Sequence, residues 1–231
     1  RIIAGRDKLY SVIAHDLRSP MGSIKMVLNM LMLNLPVEKI GGEMYELLTM
    51  ANRTTEDVFS LLDNLLKWTK SQIGNLNVVY QDVDAVEVVD SVIDVFNMVA
   101  GLKKITIREE KPEKLPVCTD IDMLKTIIRN LLSNAIKFSN ENSEVLVKME
   151  EQGDTVVVSV KDSGCGIDEE GQQKLLHTDT HFSTFGTNNE EGSGLGLLLC
   201  QDFAVKIGGK LWFTSKEGEG STFYFSIPLK K

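Results

Sequence analysis

The first third of the chain contains two long runs of apolar or nearly apolar side chains that recur every three or four residues. The members are Leu9, Ile13, Leu17, Pro20, Ile24, Leu28 and Leu31 in the first run, and Met44, Leu48, Ala51, Thr55, Val58, Leu62, Leu65 and Thr69 in the second. This spacing is typical of helices that carry one apolar stripe. Between the runs, Asn34, Pro36, Gly41 and Gly42 interrupt the pattern. The sequence therefore predicts two helices of about 30 residues joined by a short turn.

A hairpin of two helices has too little interior to bury both apolar stripes by itself. Two copies can cover each other's stripes in a four-helix bundle. We therefore expect residues 1–74 to form a dimerisation hairpin, and the protein to be a homodimer. Pro20 lies inside the first run, where it removes a backbone hydrogen bond and should kink the helix. The kink could be functional or simply tolerated.

From about residue 80 onward, helical and strand patterns alternate. Helices are predicted at 85–103, 120–138 and 195–207, strands at 105–107, 144–150 and 155–161, and a final hairpin at 210–229. Gly153 and Asp154 predict the turn between the two strands that flank them. The expected fold class is α+β, an α/β sandwich with a layer of helices on a mixed sheet. We expect this second domain to span residues 80–231.

Composition narrows the classes of partner. The formal net charge is −8, which argues against a surface for nucleic acid or for anionic membrane, because such surfaces need clustered Lys and Arg. The chain has three cysteines, at positions 118, 165 and 200, with no paired CxxC spacing. Their separation and odd number favour a reducing, cytoplasmic setting.

No run of about 18 apolar residues is found in the sequence, so we expect this segment to make no membrane contact. The sequence opens at Arg1 rather than Met. We therefore expect it to be a piece of a longer protein, in which a sensor or a membrane anchor would lie outside the segment.

The helix predicted at 120–138 carries polar residues along one edge. The apolar residues expected to be buried are Ile121, Leu124, Ile128, Leu131, Ala135 and Phe138. The next stripe, at spacings of three, four and three, contains Ile127, Asn130, Asn134 and Lys137. Asn130, Asn134 and Lys137 are the polar members of this stripe. Amide oxygens can bind a hard cation such as Mg²⁺, which completes its coordination with waters and phosphate oxygens. The alternative is a solvated helix edge with no ligand.

The motif DSGCGI follows the strand predicted at 155–161. Asp162 continues the alternating face of that strand, and its carboxylate could accept a hydrogen bond from an exocyclic amine such as N6 of adenine. Gly164 and Gly166 would let a flat ring approach the backbone. A plain turn from strand to loop explains the motif about as well.

The motif GSGLGL, Gly192 to Leu197, stands directly before a predicted helix. Its backbone N–H groups and the helix dipole favour phosphate. The motif is neither a dinucleotide fingerprint nor a P-loop, because a glycine is missing at position 197 and no GK[ST] is present. The residues between the two glycine motifs include Phe182 and Phe185, and they predict a flap over a nucleotide. Ordinary packing of these aromatic residues is the alternative.

His15 opens the motif HDLRSP on the polar side of the first predicted helix. An exposed imidazole is mostly neutral at pH 7 and is then a competent nucleophile, although exposed histidines usually have no role. His177 and His181 flank Asp179 in a spacing that could suggest a metal. With no fourth ligand evident, we assign them to the flap.

Five motifs in this order resemble those of the histidine kinases of two-component systems. They are HDLRSP, NLLSNAIKFS, DSGCGI, FSTF and GSGLGL, and the similarity runs from about residue 5 to residue 229. The resemblance implies an ATP-dependent kinase that phosphorylates its own histidine and passes the phosphate to an aspartate of a response-regulator receiver domain. It also implies the fold of the ATP-binding domain shared by histidine kinases and gyrase.

The resemblance also implies roles for residues of the first domain. His15 would accept the phosphate, and Asp16 would assist removal of its proton. Ser19 would orient water for dephosphorylation of the partner, although many relatives carry threonine or asparagine at that position.

In the second domain, the resemblance implies a site for Mg-ATP. Asn134 would be the Mg²⁺ ligand, and Asp162 would read the adenine. The other implied nucleotide contacts are Asn130, Lys137, Gly164, Gly166, Phe182, Gly192, Gly194, Leu195 and Gly196. The flap is short, with Phe185-Gly186-Thr187 in place of a longer polar stretch, which leaves its contacts open.

Two other classes of protein are alternatives to a histidine kinase. A gyrase- or MutL-like ATPase would share the nucleotide fold and use ATP for conformational change, but the hairpin bearing His15 disfavours it. A dimeric scaffold without catalysis is disfavoured by the presence of Asn134, Asp162 and both glycine motifs.

Overall fold

The computed structural model of the chain describes residues 17, 20–35, 41–72, 77–176 and 195–229. The chain divides into two compact units, Arg1–Asn77 and Val78–Lys231. No helix in the described ranges is long and apolar enough to cross a membrane.

The described residues of the first unit form two helices. Helix α1 covers residues 20–34, and residue 17 is also helical. Helix α2 covers Gly42–Gln72. Near the end of α1 the Asn34 side-chain amide donates to the carbonyl of Met30 at 2.8 Å. Gly41, directly before α2, has a φ of +80°, a conformation that glycine adopts without strain.

The two helices of the first unit pack on each other through a small apolar cluster. Leu62 and Leu66 of α2 are buried, with Met21 of α1 and Val58 of α2 against them. The ammonium of Lys25 lies 5.6 Å from the centre of the Phe59 ring. Six described positions of the predicted stripes are exposed instead, namely Leu17, Pro20, Ile24, Leu31, Met44 and Ala51.

The second unit is built on a five-stranded sheet in the order β2-β4-β5-β7-β6. The strands are β2 (Thr106–Glu110), β4 (Glu144–Gln152), β5 (Thr155–Lys161), β6 (Leu211–Lys216) and β7 (Gly220–Pro228). Only β2 and β4 run parallel, and the other neighbours are antiparallel. Two further short strands, β1 (Gln81–Asp84) and β3 (Pro116–Thr119), pair with each other. The second unit is therefore an α+β structure, as expected.

Within the part of this unit that the structure describes, the sheet is accompanied by four helices, α3 (Ala85–Leu102), α4 (Ile121–Phe138), α5 (Glu169–Leu176) and α6 (Leu195–Lys206). Helix α4 contacts both α3 and α6. In β5, Val156, Val158 and Val160 share one face of the strand and are buried. The turn predicted at Gly153 joins β4 to β5, with a φ of +63° at the glycine.

Two aspartates define where α3 and α4 begin. The Asp84 carboxylate accepts from Val86 N at the start of α3 and from Leu115 N at 2.9 Å. Asp120 caps α4 by accepting from Asp122 N and Met123 N, each at 3.0 Å. Such caps satisfy N–H groups that have no partner inside the helix. Each helix start is thus anchored by a single carboxylate.

Three sequence expectations were wrong in detail. Strands β1 and β3 and helix α5 were not predicted, and the strand expected at 105–107 runs over Thr106–Glu110. Ile127 was assigned to the polar edge of α4 but is fully buried. The cause is α6, whose Cys200 thiol donates to the Ile127 carbonyl at 3.8 Å. A helix between two others buries a wider face than one stripe.

Candidate functional site

The polar stripe predicted on α4 is present, and its members are half-buried. The Asn130 side-chain amide donates to the carbonyl of Thr126 at 2.9 Å. Asn134 follows one turn later. The Lys137 ammonium lies 4.9 Å from the centre of the Phe138 ring. Partial burial holds these polar groups on the helix edge while leaving part of their surface open to a ligand.

The first turn of α6 lies against this stripe. A Cβ atom placed on Gly196 would be 2.7 Å from Oδ1 of Asn130, which is too close for any larger residue unless the asparagine moves. Gly196 comes from the second glycine motif and Asn130 from the asparagine motif. The fold therefore brings together two motifs that are far apart in sequence.

Asp162 lies at the end of β5, and its side chain is almost completely buried, with 4% exposed. Its Oδ1 accepts from Gly164 N at 2.9 Å and from Ser221 N at 3.2 Å. Burial raises the pKa of the Asp162 carboxyl, and the N–H groups of Gly164 and Ser221 oppose that rise. A buried carboxylate held by two backbone donors is fixed in one orientation and can serve as an acceptor.

The two glycines that follow Asp162 fit tightly against neighbouring backbone. A Cβ on Gly164 would lie 2.0 Å from the Phe138 carbonyl oxygen, and a Cβ on Gly166 would lie 2.0 Å from that of Lys216. Gly166 also has a φ of +65°. These glycines are thus required by packing inside the domain, a different reason from the approach of a flat ring that the sequence suggested.

The loop formed by residues 162–167, which we call the Asp162 loop, lies at the C-terminal end of α4, because Gly164 packs against the Phe138 carbonyl. The Asp162 loop and the start of α6 therefore both lie against α4, the helix that carries the polar stripe. No group of three or more His, Cys, Asp or Glu side chains that could hold a metal occurs in the described ranges. A half-buried amide such as that of Asn134 fits Mg²⁺, which takes few protein ligands and keeps waters and phosphate oxygens.

Several predicted site residues lie outside the described residues. They are His15, Asp16, Ser19, Phe182, Gly192 and Gly194. The same holds for His177, His181 and the rest of the flap. Leu195 is described only as the first residue of α6. Their proposed roles stay predictions.

Sequence reasoning missed three neighbours of the site, Ser221, Gly220 and Lys103. Ser221 is a donor to Asp162, and a Cβ on Gly220 would lie 2.2 Å from the Asp162 carbonyl oxygen. Lys103 is buried and donates to the carbonyls of Ile136 and Lys137 at the end of α4. The pairing of β5 with β7 could have suggested Ser221 and Gly220, whereas a lysine that follows a helix gives no such signal.

Replacing Asp162 with Asn is expected to raise the melting temperature (Tm) of the protein at about pH 8. The amide keeps an acceptor oxygen for Gly164 N and Ser221 N and removes a buried charge. Because the folded-state pKa of Asp162 is raised, its ionisation destabilises the folded protein above that pKa. The penalty disappears as the pH falls, so the parent and the variant should converge. Calorimetric scans at a series of pH values, from about pH 8 down to acidic pH, measure the difference in Tm between the parent and the variant.

Glu217→Gln is the matched control for this experiment, because it removes an exposed carboxylate from the turn that faces Gly166. Its Tm should follow that of the parent at every pH. A lower Tm for Asp162→Asn at about pH 8 would contradict the expectation and would mean that ionised Asp162 is net stabilising.

Comparison with known proteins agrees with the geometry. Residues 119–231 match the family model of histidine kinase-, DNA gyrase B- and HSP90-like ATPases. The adaptive-response sensory kinase SasA of Crocosphaera subtropica is 29% identical over 229 residues, which cover 97% of this chain and 59% of SasA. The chain thus spans about three fifths of that relative.

Among solved structures, the nucleotide-free catalytic domain of the histidine kinase ThkA is 30% identical, with a TM-score of 0.58. That match covers 66% of this chain and 99% of ThkA's domain. Full-length ShkA in complex with AMPPNP is 21% identical with a TM-score of 0.71, over 97% of this chain and 46% of ShkA. The second match shows a shared fold.

The Asp162 loop, the α4 stripe and the α6 start thus belong to a domain of the histidine kinase and gyrase ATPase type. The chain belongs to the sensor histidine kinases.

Proposed function

We propose that this chain is an ATP-dependent protein-histidine kinase that phosphorylates its own His15. The phosphate then passes to an aspartate of a response-regulator receiver domain. The observation that carries the proposal is the convergence on α4 of a buried carboxylate loop, an asparagine stripe and a glycine-led helix start. Two close contacts define this convergence: Gly164 packs against the Phe138 carbonyl, and Gly196 packs against Asn130.

The adenine end of the proposed site is the Asp162 loop. Gly164 N and Ser221 N both donate to Oδ1 of Asp162, so the proposal assigns Oδ2 to the exocyclic amine of adenine. A hydrogen bond to a charged acceptor contributes about 1.5–3 kcal/mol. Asp162→Asn should therefore weaken Mg-ATP binding by about tenfold or more.

The phosphate end of the proposed site lies between α4 and α6. Asn134 is the proposed Mg²⁺ ligand, and Asn130 and Lys137 are proposed to lie near the phosphates. When bound, Mg²⁺ neutralises part of the phosphate charge. The backbone around Gly192, Gly194, Leu195 and Gly196 would favour the triphosphate through the helix start, and Phe182 would cover the nucleotide.

Phosphoryl transfer is proposed to begin with the neutral imidazole of His15. Its nitrogen lone pair forms a bond to the γ-phosphorus, the bond from that phosphorus to the bridging oxygen breaks, and ADP leaves. Asp16 assists the loss of the proton from the other ring nitrogen. Positioning of the two reactants supplies most of the rate enhancement.

We also propose that the protein is a homodimer through a four-helix bundle of residues 1–74, with the catalytic domain at 80–231. Exposed apolar side chains at Leu17, Ile24, Leu31 and Met44 support this proposal, because a second hairpin would cover them. The fragment is proposed to act in the cytoplasm, without nucleic acid or membrane contact.

Incubation with Mg-ATP labelled at the γ-phosphate tests the proposed function. The protein should acquire label in a phosphoramidate bond, which is labile in acid and stable in base, because protonation makes the imidazole a good leaving group. Phosphoserine and phosphothreonine behave in the opposite way. Label that survives acid, or ATP hydrolysis without any label on the protein, would overturn the proposal.

Ser19→Ala is expected to leave labelling of His15 within about twofold of the parent while slowing removal of phosphate from the receiver about tenfold or more. The hydroxyl is proposed to orient water and not to bind ATP. Ser23→Ala, an exposed hydroxyl one turn along α1, is the control and should change neither rate. Equal losses of both activities in Ser19→Ala would indicate a packing effect beside Pro20 instead.

A further inference from the structure

The last turn of α4 holds the two ends of the proposed site together. Asn134 and Lys137 belong to the phosphate end, and the Phe138 carbonyl supports Gly164 of the adenine loop. A small shift of this turn would move both ends. The groups that fix this turn therefore influence nucleotide binding without touching the nucleotide.

A helix leaves its last four carbonyl groups without partners inside the helix. In α4, the Ala135 carbonyl accepts from Ser139 N at 3.1 Å. The next two, Ile136 and Lys137, accept from the ammonium of Lys103 at 3.1 Å and 2.9 Å. A positive charge at this position also interacts favourably with the helix dipole. One lysine thus satisfies two of the four carbonyls.

Lys103 is buried, with 7% of its surface exposed, and its backbone is held firmly. Lys103 N donates to the Ala100 carbonyl, Lys104 N to that of Gly101, and Ile105 N to that of Ala100. Lys104 has a φ of +55°. These bonds form a Schellman motif at the end of α3. The ammonium is therefore presented to α4 from a rigid base.

We infer that Lys103 is a positioning residue for nucleotide binding, which acts through the carbonyls of Ile136 and Lys137 on the last turn of α4. The inference rests on the proposed function. Without the ammonium, the buried Ile136 carbonyl and the partly buried Lys137 carbonyl lose charge-assisted partners, and the turn that carries Lys137 and supports Gly164 is free to fray. Nucleotide affinity falls even where the protein remains folded.

The test measures the Kd of Mg-ATP by calorimetry, at a temperature where thermal scans show each variant to be fully folded. Lys103→Met keeps much of the aliphatic stem and should bind Mg-ATP about tenfold more weakly. Lys103→Arg restores donors and should recover most of the lost affinity. If Lys103→Met does not fold, Lys103→Gln, which can donate from its amide, takes its place with an intermediate loss.

Two control variants separate positioning from general destabilisation. Lys104→Met removes the same charge from an exposed neighbour. Val157→Ala removes buried methyl groups from the face of β5 opposite the Val156 and Val158 side chains, so it should lower the Tm while leaving the hydrogen bonds from Lys103 to α4 in place. Both should bind Mg-ATP within about twofold of the parent.

Parental affinity in folded Lys103→Met, or an equal loss of affinity in Val157→Ala, would overturn the inference. Absence of rescue by Lys103→Arg would count against it as well. A parent that binds Mg-ATP but never carries an acid-labile label would overturn the proposed kinase function alone, because the Kd comparison would still hold. A parent that binds no Mg-ATP would overturn both.

Discussion

His15→Gln is expected to remove all label from protein incubated with γ-labelled Mg-ATP, while the Kd of the nucleotide stays within about twofold of the parent value. Glutamine is similar in length and polarity but offers no basic nitrogen as a nucleophile. Nucleotide binding should persist because the proposed contacts lie in the second compact unit. Label retained after acid-free gel separation, together with calorimetric Kd values, measures both effects.

The chain has only three histidines, which allows a sharp control. A variant in which His177 and His181 are both replaced by glutamine keeps His15 as its one histidine, and should still acquire an acid-labile label. Label on His15→Gln, or its loss only from the double variant, would show that the acceptor is another residue.

Asn134→Asp is expected to reduce the initial rate of labelling by about 1000-fold. A new carboxylate near the triphosphate would cost about 4 kcal/mol at a separation of 4 Å and an effective dielectric constant of 20, which corresponds to that factor. The substitution also removes the amide donors and changes the charge around Mg²⁺. Folding should survive because Asn134 is only half-buried. Labelling rates over a range of Mg²⁺ concentrations measure the effect.

Ser133→Asp is the matched control, since it adds the same charge to the same helix at an exposed neighbouring position. Its labelling rate should stay within about threefold of the parent. Equal losses in the two variants would indicate a general effect of charge on α4, and parental labelling by Asn134→Asp would show that Asn134 does not hold the metal.

Much of the second domain could be predicted from sequence because its elements are long and strongly periodic. Four of the six α4 positions expected in the core, Leu124, Ile128, Leu131 and Ala135, are buried. The other two, Ile121 and Phe138 at the helix ends, are half-buried. The spacing of the polar residues on the same helix predicted the polar stripe of Asn130, Asn134 and Lys137, which is present in the structure. Ile127 was misassigned because the burial of that edge depends on α6, and periodicity within one helix does not reveal which neighbours it will have.

Strands β1 and β3 could not be found in this way. Each has four residues, and Asp82, Asp84 and Pro116 are residues that strands disfavour. Their positions are determined by tertiary contacts instead, since Asp84 caps α3 and also accepts from Leu115 N. Lys103 escaped notice for a similar reason, because a lysine that follows a helix is normally exposed to water.

The backbone contacts of the glycines have a consequence for how relatives that have lost catalysis should be recognised. At Gly164, Gly166 and Gly220 the space for a side chain is already taken by carbonyl groups of the same domain. A descendant that no longer bound nucleotide would still need these glycines to fold, whereas Asn134, which is only half-buried, could drift freely. Intact Gly164, Gly166 and Gly220 therefore indicate a preserved scaffold, and a pseudokinase of this family should be recognised first by a substitution at Asn134.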